Sequence, residues 1–326
     1  MPAMLKHRLI FGTVMVAALL AVLYADARLD SLDIENTWLQ TLFMGRTYLP
    51  AGLLLLVLLV GLIALAAREL AIIFQAKGID VPASTLGLAG MVGAGLIYVL
   101  PKGLDSQTAL AIYATALVGV FIFALVRHAA PGRTQGSVGV AGAAMFALLY
   151  MGTLPGFYLA IRQWHSVWVL AAIILITKTC DIGAYFTGRA IGRHKLVPWL
   201  SPGKTWEGLL GGMALSGLLA TGLVVLGNAM ELTGHWARVE GERVFVQFDF
   251  PLVYAVIAGL LLGVVGQLGD LTASLFKRDA GVKDSGRSIP GFGGLLDVLD
   301  SPIAVAPVAY WLLQFVALMH APGGGS

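Results

Sequence analysis

The chain has 326 residues, 58% of them apolar and only 12% charged, with a formal net charge of +3 and a mean hydropathy of +0.85. Soluble domains carry about twice that share of charge, so a disordered chain, a nucleic-acid-binding protein and an ordinary cytosolic enzyme are excluded. An all-α, polytopic transmembrane helical bundle of about nine spans is expected, because apolar runs long enough to cross hydrocarbon recur from end to end.

In chain order the predicted spans are Leu9–Ala25, Leu49–Ala67, Val81–Leu100, Ala109–Val126, Val138–Leu154, Trp164–Cys180, Leu209–Met230, Leu252–Leu268 and Pro302–Met319. Each approaches the ~20 residues that a spanning helix needs. The third is rich in Gly and the sixth short, which leaves eight as the alternative count. The first span follows Lys6, His7 and Arg8 as in a signal peptide, but no small-residue cleavage site is clear, and it reads as a retained helix. Arg68-Glu69, after the second span, reads as a local pair or a snorkelling group. Arg127, His128 and Arg133 form a basic loop suited to fixing topology. Residues 231–250 read equally as an external hairpin or an irregular loop. Residues 321–326 read as a flexible tail.

Orientation follows from the Lys and Arg count in alternate loops. With the N-terminus cytoplasmic, the inner segments hold fifteen of the 21 Lys and Arg residues; the outer ones hold only Arg28, Arg46, Lys102, Arg162, Arg238 and Arg243. An inner-membrane protein of a bacterium, with its N-terminus and polar loops in the cytoplasm, is the expectation. The lone Cys180 excludes a disulfide framework and a Cys-based metal site, and the six histidines show no ligand spacing, so they read as interfacial or loop residues.

Two inner segments mix Gly, Pro, acids and bases at the edge of hydrocarbon, where ionisable groups are costly and by default mark function. In the second, residues 266–301, continuation of the eighth helix puts Asp270, Ser274, Lys277 and Arg278 on one face. Lys283, Asp284, Arg287, the turn Pro290-Gly291-Phe292-Gly293-Gly294, Asp297 and Asp300 follow. Carboxylates suit a hard cation, Lys and Arg suit phosphate, and a Gly-rich turn lets backbone amides approach an anion. The combination fits metal-assisted phosphoryl chemistry; a solvated loop or a basic patch on anionic lipid is the other reading. The first segment, residues 181–208, contains Gly203-Lys204-Thr205. A P-loop would need Gly where Pro198 stands, with a strand before it, so that motif is rejected. Ser201 and Thr205 also suit helix N-caps, with Glu207 in the first turn.

The C-terminal half resembles the integral-membrane phosphatidate cytidylyltransferases, or CDP-diacylglycerol synthases. Their signature S-x-x-K-R-x-x-x-x-K-D, then P-G-H-G-G and D-R-x-D, is matched by Ser274, Lys277, Arg278, Lys283-Asp284, Pro290–Gly294, Asp297 and Asp300. The family's upstream blocks are matched by Asp181, Tyr185, Gly188-Arg189 and Ser201-Pro202 through Gly208. Phe292 stands for the usual His, Val298 for the usual Arg and Gly203 for the first Lys of S-P-K-K-T.

The resemblance implies that CTP and phosphatidate give CDP-diacylglycerol and pyrophosphate, with Mg²⁺ as cofactor and a second cation left open. It implies catalytic roles for Asp270, Lys277, Arg278, Lys283, Asp284 and Asp297. Metal binding is implied for Asp270 and Asp297, with Asp300 as a further ligand. Substrate binding is implied for Ser274, Arg287, Asp181, Lys204, Glu207, Gly293 and Gly294, while Trp206 and Tyr185 are candidates for stacking on cytosine. The expected organisation is a transmembrane scaffold over residues 1–160 and a catalytic region over 161–320. The expected partners are CTP, phosphatidate and membrane lipid, with no nucleic acid, and a homodimer is left open. A transporter with interrupted helices, or a CTP-dependent enzyme acting on a polyprenol or isoprenoid lipid, is the competing reading.

Overall fold

Backbone amides in hydrocarbon need partners within their own segment, and each apolar run is accordingly helical. The structure, a computed structural model, describes residues 2–30, 32, 37–42, 49–100, 104–130, 132–239, 242–247, 249–286 and 288–319. The expectations for Arg287 and for the tail lie outside these residues.

Helix α1 covers Pro2–Leu29, the short α2 Thr37–Leu42, α3 Leu53–Ala76, α4 Ala83–Val99 and α5 Ser106–Ala129. Helices α6 (Ser137–Ala147) and α7 (Leu154–Trp164) are joined by a π-helical turn, Leu148–Thr153, into one run. Then come α8 (Val167–Ile191), strands β1 (Lys195–Val197) and β2 (Ser201–Thr205), α9 (Trp206–Ala229), strands β3 (Gly234–Val239) and β4 (Glu242–Gln247), α10 (Leu252–Asp279) and α11 (Leu296–Met319). Among the described residues, eight helical runs are long and apolar enough to cross a membrane, and α4, with 17 residues, is the shorter ninth. At 1.5 Å per residue it is about 25 Å long.

The helix ends sort onto two faces. On one, Lys77 after α3 meets Asp279 at the end of α10 (2.9 Å), and Arg127 near the end of α5 donates to Ser84 in α4 (2.7 Å). On the other, Arg162 near the end of α7 meets Asp26 near the end of α1 (2.7 Å), and His165 before α8 contacts the Gly234 carbonyl of β3 (3.1 Å). Among the described residues the eight long runs and α4 therefore alternate in direction, and α1 begins on the face where α3, α8 and α10 end.

Lipid tails give helices no hydrophobic reason to associate, so close packing must hold the bundle. Gly208, Gly212, Ser216 and Ala220 recur every fourth residue along α9, and all are buried. A Cβ at Gly212 would lie 2.6 Å from the Cys180 carbonyl of α8, so α8 and α9 approach backbone to backbone. The glycines that weaken the third span act alike: a Cβ at Gly93 would lie 2.9 Å from the Thr153 amide in the π turn.

Three expectations are corrected or decided here. The sixth span does not end at Cys180, because α8 continues through Asp181 to Ile191 and makes Asp181–Arg189 helical. The absence of a strand near Lys204 is overturned: β1 and β2 pair antiparallel, with Lys195 opposite Thr205 and Val197 opposite Ser201. Gly203 and Lys204 thus lie within a strand, which is still not the loop a P-loop needs. Residues 231–250 contain the hairpin rather than an irregular loop, with Gly234 opposite Gln247 and Val239 opposite Glu242.

Candidate active site

The charged groups of the two polar segments converge where α8, α10, β2 and the start of α11 meet. Continuation of α10 through the motif supplies Gln267, Asp270, Ser274 and Lys277 from one helix. Asp181 accepts from Gln267 Nε2 (2.8 Å) and lies 3.5 Å from Lys178. Lys204, reaching in from β2, donates to Asp270 (2.7 Å) and to the Gln267 carbonyl (3.2 Å). Asp270 in turn meets the carboxyl group of Asp300. Asp300 is 4% exposed and accepts from the Ser301 amide (2.6 Å).

Asp297 sits in the first turn of α11, and its carboxylate is fully engaged. Oδ1 receives Lys277 Nζ (2.5 Å), while Oδ2 receives the Ser285 amide (2.9 Å), Ser285 Oγ (3.0 Å) and the Gly294 amide (2.9 Å). The bond to Gly294, three residues earlier, ties the carboxylate to the backbone just ahead of α11.

The largest departure from the sequence reading is Glu69. It is neither a local partner of Arg68 nor a snorkelling group: it is 3% exposed. Its oxygens accept from Ser285 Oγ (3.0 Å), Ser288 Oγ (2.5 Å) and the amides of Leu295 (2.7 Å) and Leu296 (2.9 Å). A carboxylate at the positive end of α11 is favoured by the helix dipole, and here it also ties the preceding loop to α3. Gly294 is glycine because a Cβ there would lie 2.5 Å from Glu69 Oε2 and 2.7 Å from the Gly286 amide. The Gly-rich turn is closed by a pair of backbone bonds between Ile289 and Gly293, with Gly293 at φ +97°. Its neighbouring amides serve Asp297 and Glu69, so the Gly294 amide is used within the protein.

Other predicted residues lie at the margin. Arg278 is exposed and donates to the Val282 carbonyl (3.4 Å), Lys283 and Asp284 are exposed on the loop, and Ser274 is half-buried. Glu207 turns toward β1, accepting from the Arg193 and His194 amides and meeting His194 Nδ1 at 2.6 Å. Thr205, not Ser201, caps α9 by accepting from the Gly208 amide (3.1 Å). Trp206 and Tyr185 are exposed. Phe292 is directed at α1, its ring 3.4 Å from where a Cβ of Gly12 would stand.

Sequence reasoning also missed Tyr150 in the π turn. Asp300, Asp270 and Asp297 are its charged neighbours, and with Lys277, Ser285 and Asp297 it lines a small cavity. The signal that could have found Glu69 is an acid at the end of an apolar run; a tyrosine within such a run gives none.

Among the described residues, no three His, Cys, Asp or Glu side chains stand grouped as a ready metal site. The donor chemistry is nevertheless that of a hard cation, because Asp270 and Asp300 present carboxylate oxygens side by side. Asp297 would join them only by giving up Lys277. Paired lysines beside paired acids can hold phosphate groups and neutralise charge developing on them.

Comparison with known proteins identifies a family. The family model described as "Cytidylyltransferase family" matches residues 34–316. A phosphatidate cytidylyltransferase of Staphylococcus haemolyticus is 33% identical over 276 residues, 85% of this chain and 94% of that protein. Proteins of the same name from Bacillus subtilis and Haemophilus influenzae are each 37% identical, over 51% and 47% of this chain. Those two matches span only about half of the relatives' own length, 56% and 48%.

Proposed function

The chain belongs to the cytidylyltransferase family, and from that premise we propose that it is a phosphatidate cytidylyltransferase of phospholipid biosynthesis. In this reaction a phosphate oxygen of phosphatidate attacks the α-phosphorus of CTP. The bond to the β-phosphate breaks, CDP-diacylglycerol forms and pyrophosphate leaves. The observation that carries the reading is the convergence of Lys204, Lys277, Asp270, Asp297 and Asp300 within a membrane bundle.

Lys277 and Lys204 bind phosphate oxygens and bring two anionic substrates together, which is the main electrostatic barrier to the reaction. No general base is needed, because the attacking phosphate is already ionised. Asp297 orients Lys277 through their contact, and the Ser285 and Gly294 amides fix Asp297 in turn. Asp270 and Asp300, with Asp297, are the residues that would hold Mg²⁺, which when bound supplies charge neutralisation at the phosphates. Arg278, Lys283 and Ser274 complete the polar rim, and Arg287 and Asp284 belong to the same motif.

The site faces the cytoplasm in this proposal, because the alternation of spans puts it on the lysine- and arginine-rich side and because CTP is made there. Purified protein in detergent, given radiolabelled CTP, phosphatidate and Mg²⁺, forms a CDP-lipid and releases pyrophosphate in equal amounts. Asp270→Asn lowers the rate at least about a hundredfold, the scale of losing one preorganised electrostatic partner. An Asp270→Asn variant as fast as wild type would overturn the assignment.

A further inference from the structure

Two buried side-chain groups among the described residues have no hydrogen-bond partner, and one is the hydroxyl of Tyr150. Tyr150 is 8% exposed, and leaving a buried hydroxyl unpaired is costly, so such a group calls for an explanation. Three further observations bear on it. The residue lies in the π-helical turn Leu148–Thr153, and π turns inside helices occur frequently at functional sites. Its ring is locked, stacked on Phe146 at 5.2 Å and edge-on to Phe276 at 5.5 Å, so the hydroxyl has a fixed direction. It also lines, with Lys277, Ser285 and Asp297, a cavity of about 10 Å³, room for roughly one oxygen-sized group.

The acids around Tyr150 do not satisfy it: Asp297 is held by Lys277, Ser285 and Gly294, Asp270 by Lys204, and Asp300 by the amide and hydroxyl of Ser301. A phenol is a donor without an acceptor here. A phosphate oxygen brought to Lys277 would be one. We propose that the Tyr150 hydroxyl donates a hydrogen bond to a substrate phosphate oxygen held by Lys277, making Tyr150 a substrate-contacting residue supplied by the N-terminal half of the chain. The inference rests on reading this site as the cytidylyl-transfer centre and adds a donor to it. The π turn and the two phenylalanines are then the means of aiming that donor before substrate arrives.

Tyr150→Phe removes one oxygen and keeps the ring packing. In full-length protein in detergent, kcat/KM for CDP-lipid formation falls about ten- to a hundredfold, the scale of a hydrogen bond to a charged group. Without ligand, the variant unfolds at the same temperature as wild type or higher, since an unpaired hydroxyl has been removed. The rise in unfolding temperature on adding inorganic pyrophosphate is smaller in the variant than in wild type. A kcat/KM within twofold of wild type overturns the proposal, as does a lower unfolding temperature without ligand, which would give the hydroxyl a structural partner. If wild type makes no CDP-lipid, the reading of the reaction fails, and the pyrophosphate measurement still decides the contact: an equal shift in both proteins overturns it and a reduced one upholds it.

Discussion

Glu69 shows how one residue can govern a site without lying in its motif. Its two oxygens take four hydrogen bonds from partners 216 to 227 positions away in sequence. Glu69→Gln keeps the shape but replaces one acceptor oxygen by a donor, so at least one of the Leu295 and Leu296 amides loses its partner. Leaving a buried amide unsatisfied costs on the order of 1–3 kcal/mol. The expected result is faster hydrogen exchange at residues 285–296, with unchanged exchange in α8 and α9; equal exchange throughout would show that the loop holds itself. The motif acids, lysines and glycines were legible in the sequence because they cluster within short segments. Glu69 was not, since nothing within a single span says which distant loop a buried acid serves, and its neighbour Arg68 offered a simpler partner.

At the scale of elements, hydropathy located the crossings well because the bilayer sets their length and forces them to be helical. It misplaced the end of the sixth, where ionisable groups imitate a loop: Asp181 lies in α8 and is paired there with Lys178 and Gln267. The β1–β2 hairpin escaped notice because Pro198, Pro202 and Gly203 read as turn residues. The π turn has no periodicity of its own. The start of α9 was readable, and Thr205 does cap it. Thr205→Ala should lower stability by about 1 kcal/mol, checked by thermal unfolding, and a larger effect is expected on activity than on fold because Lys204 is carried on the adjacent residue. Activity unchanged alongside a lowered unfolding temperature would separate the cap from the placement of Lys204.

For the whole molecule, the alternation of the helical runs makes a two-sided prediction. Cys180 is fully buried, so an introduced cysteine is the one accessible thiol among the described residues. Lys283→Cys, on the exposed loop of the site face, should react with a membrane-impermeant maleimide only from the cytoplasm, and Val244→Cys, in the hairpin, only from the opposite side. Reversed labelling would invert the orientation drawn from the Lys and Arg count. The polar cluster draws on both sides of residue 160, since Glu69 and Tyr150 come from the first part and their contacts or neighbours from the second. One further property follows from the ion pairs. Lys178 with Asp181, Lys204 with Asp270 and Lys277 with Asp297 give the pocket built-in counter-ions. On the proposed function, an arriving phosphate would not fall onto bare positive charge; it would displace a carboxylate. Binding would then be an exchange, driven by the difference between two ion pairs rather than by the full strength of one. Such an exchange favours ligands that complete both sides of the trade, an anion for each lysine and a cation for each acid set free.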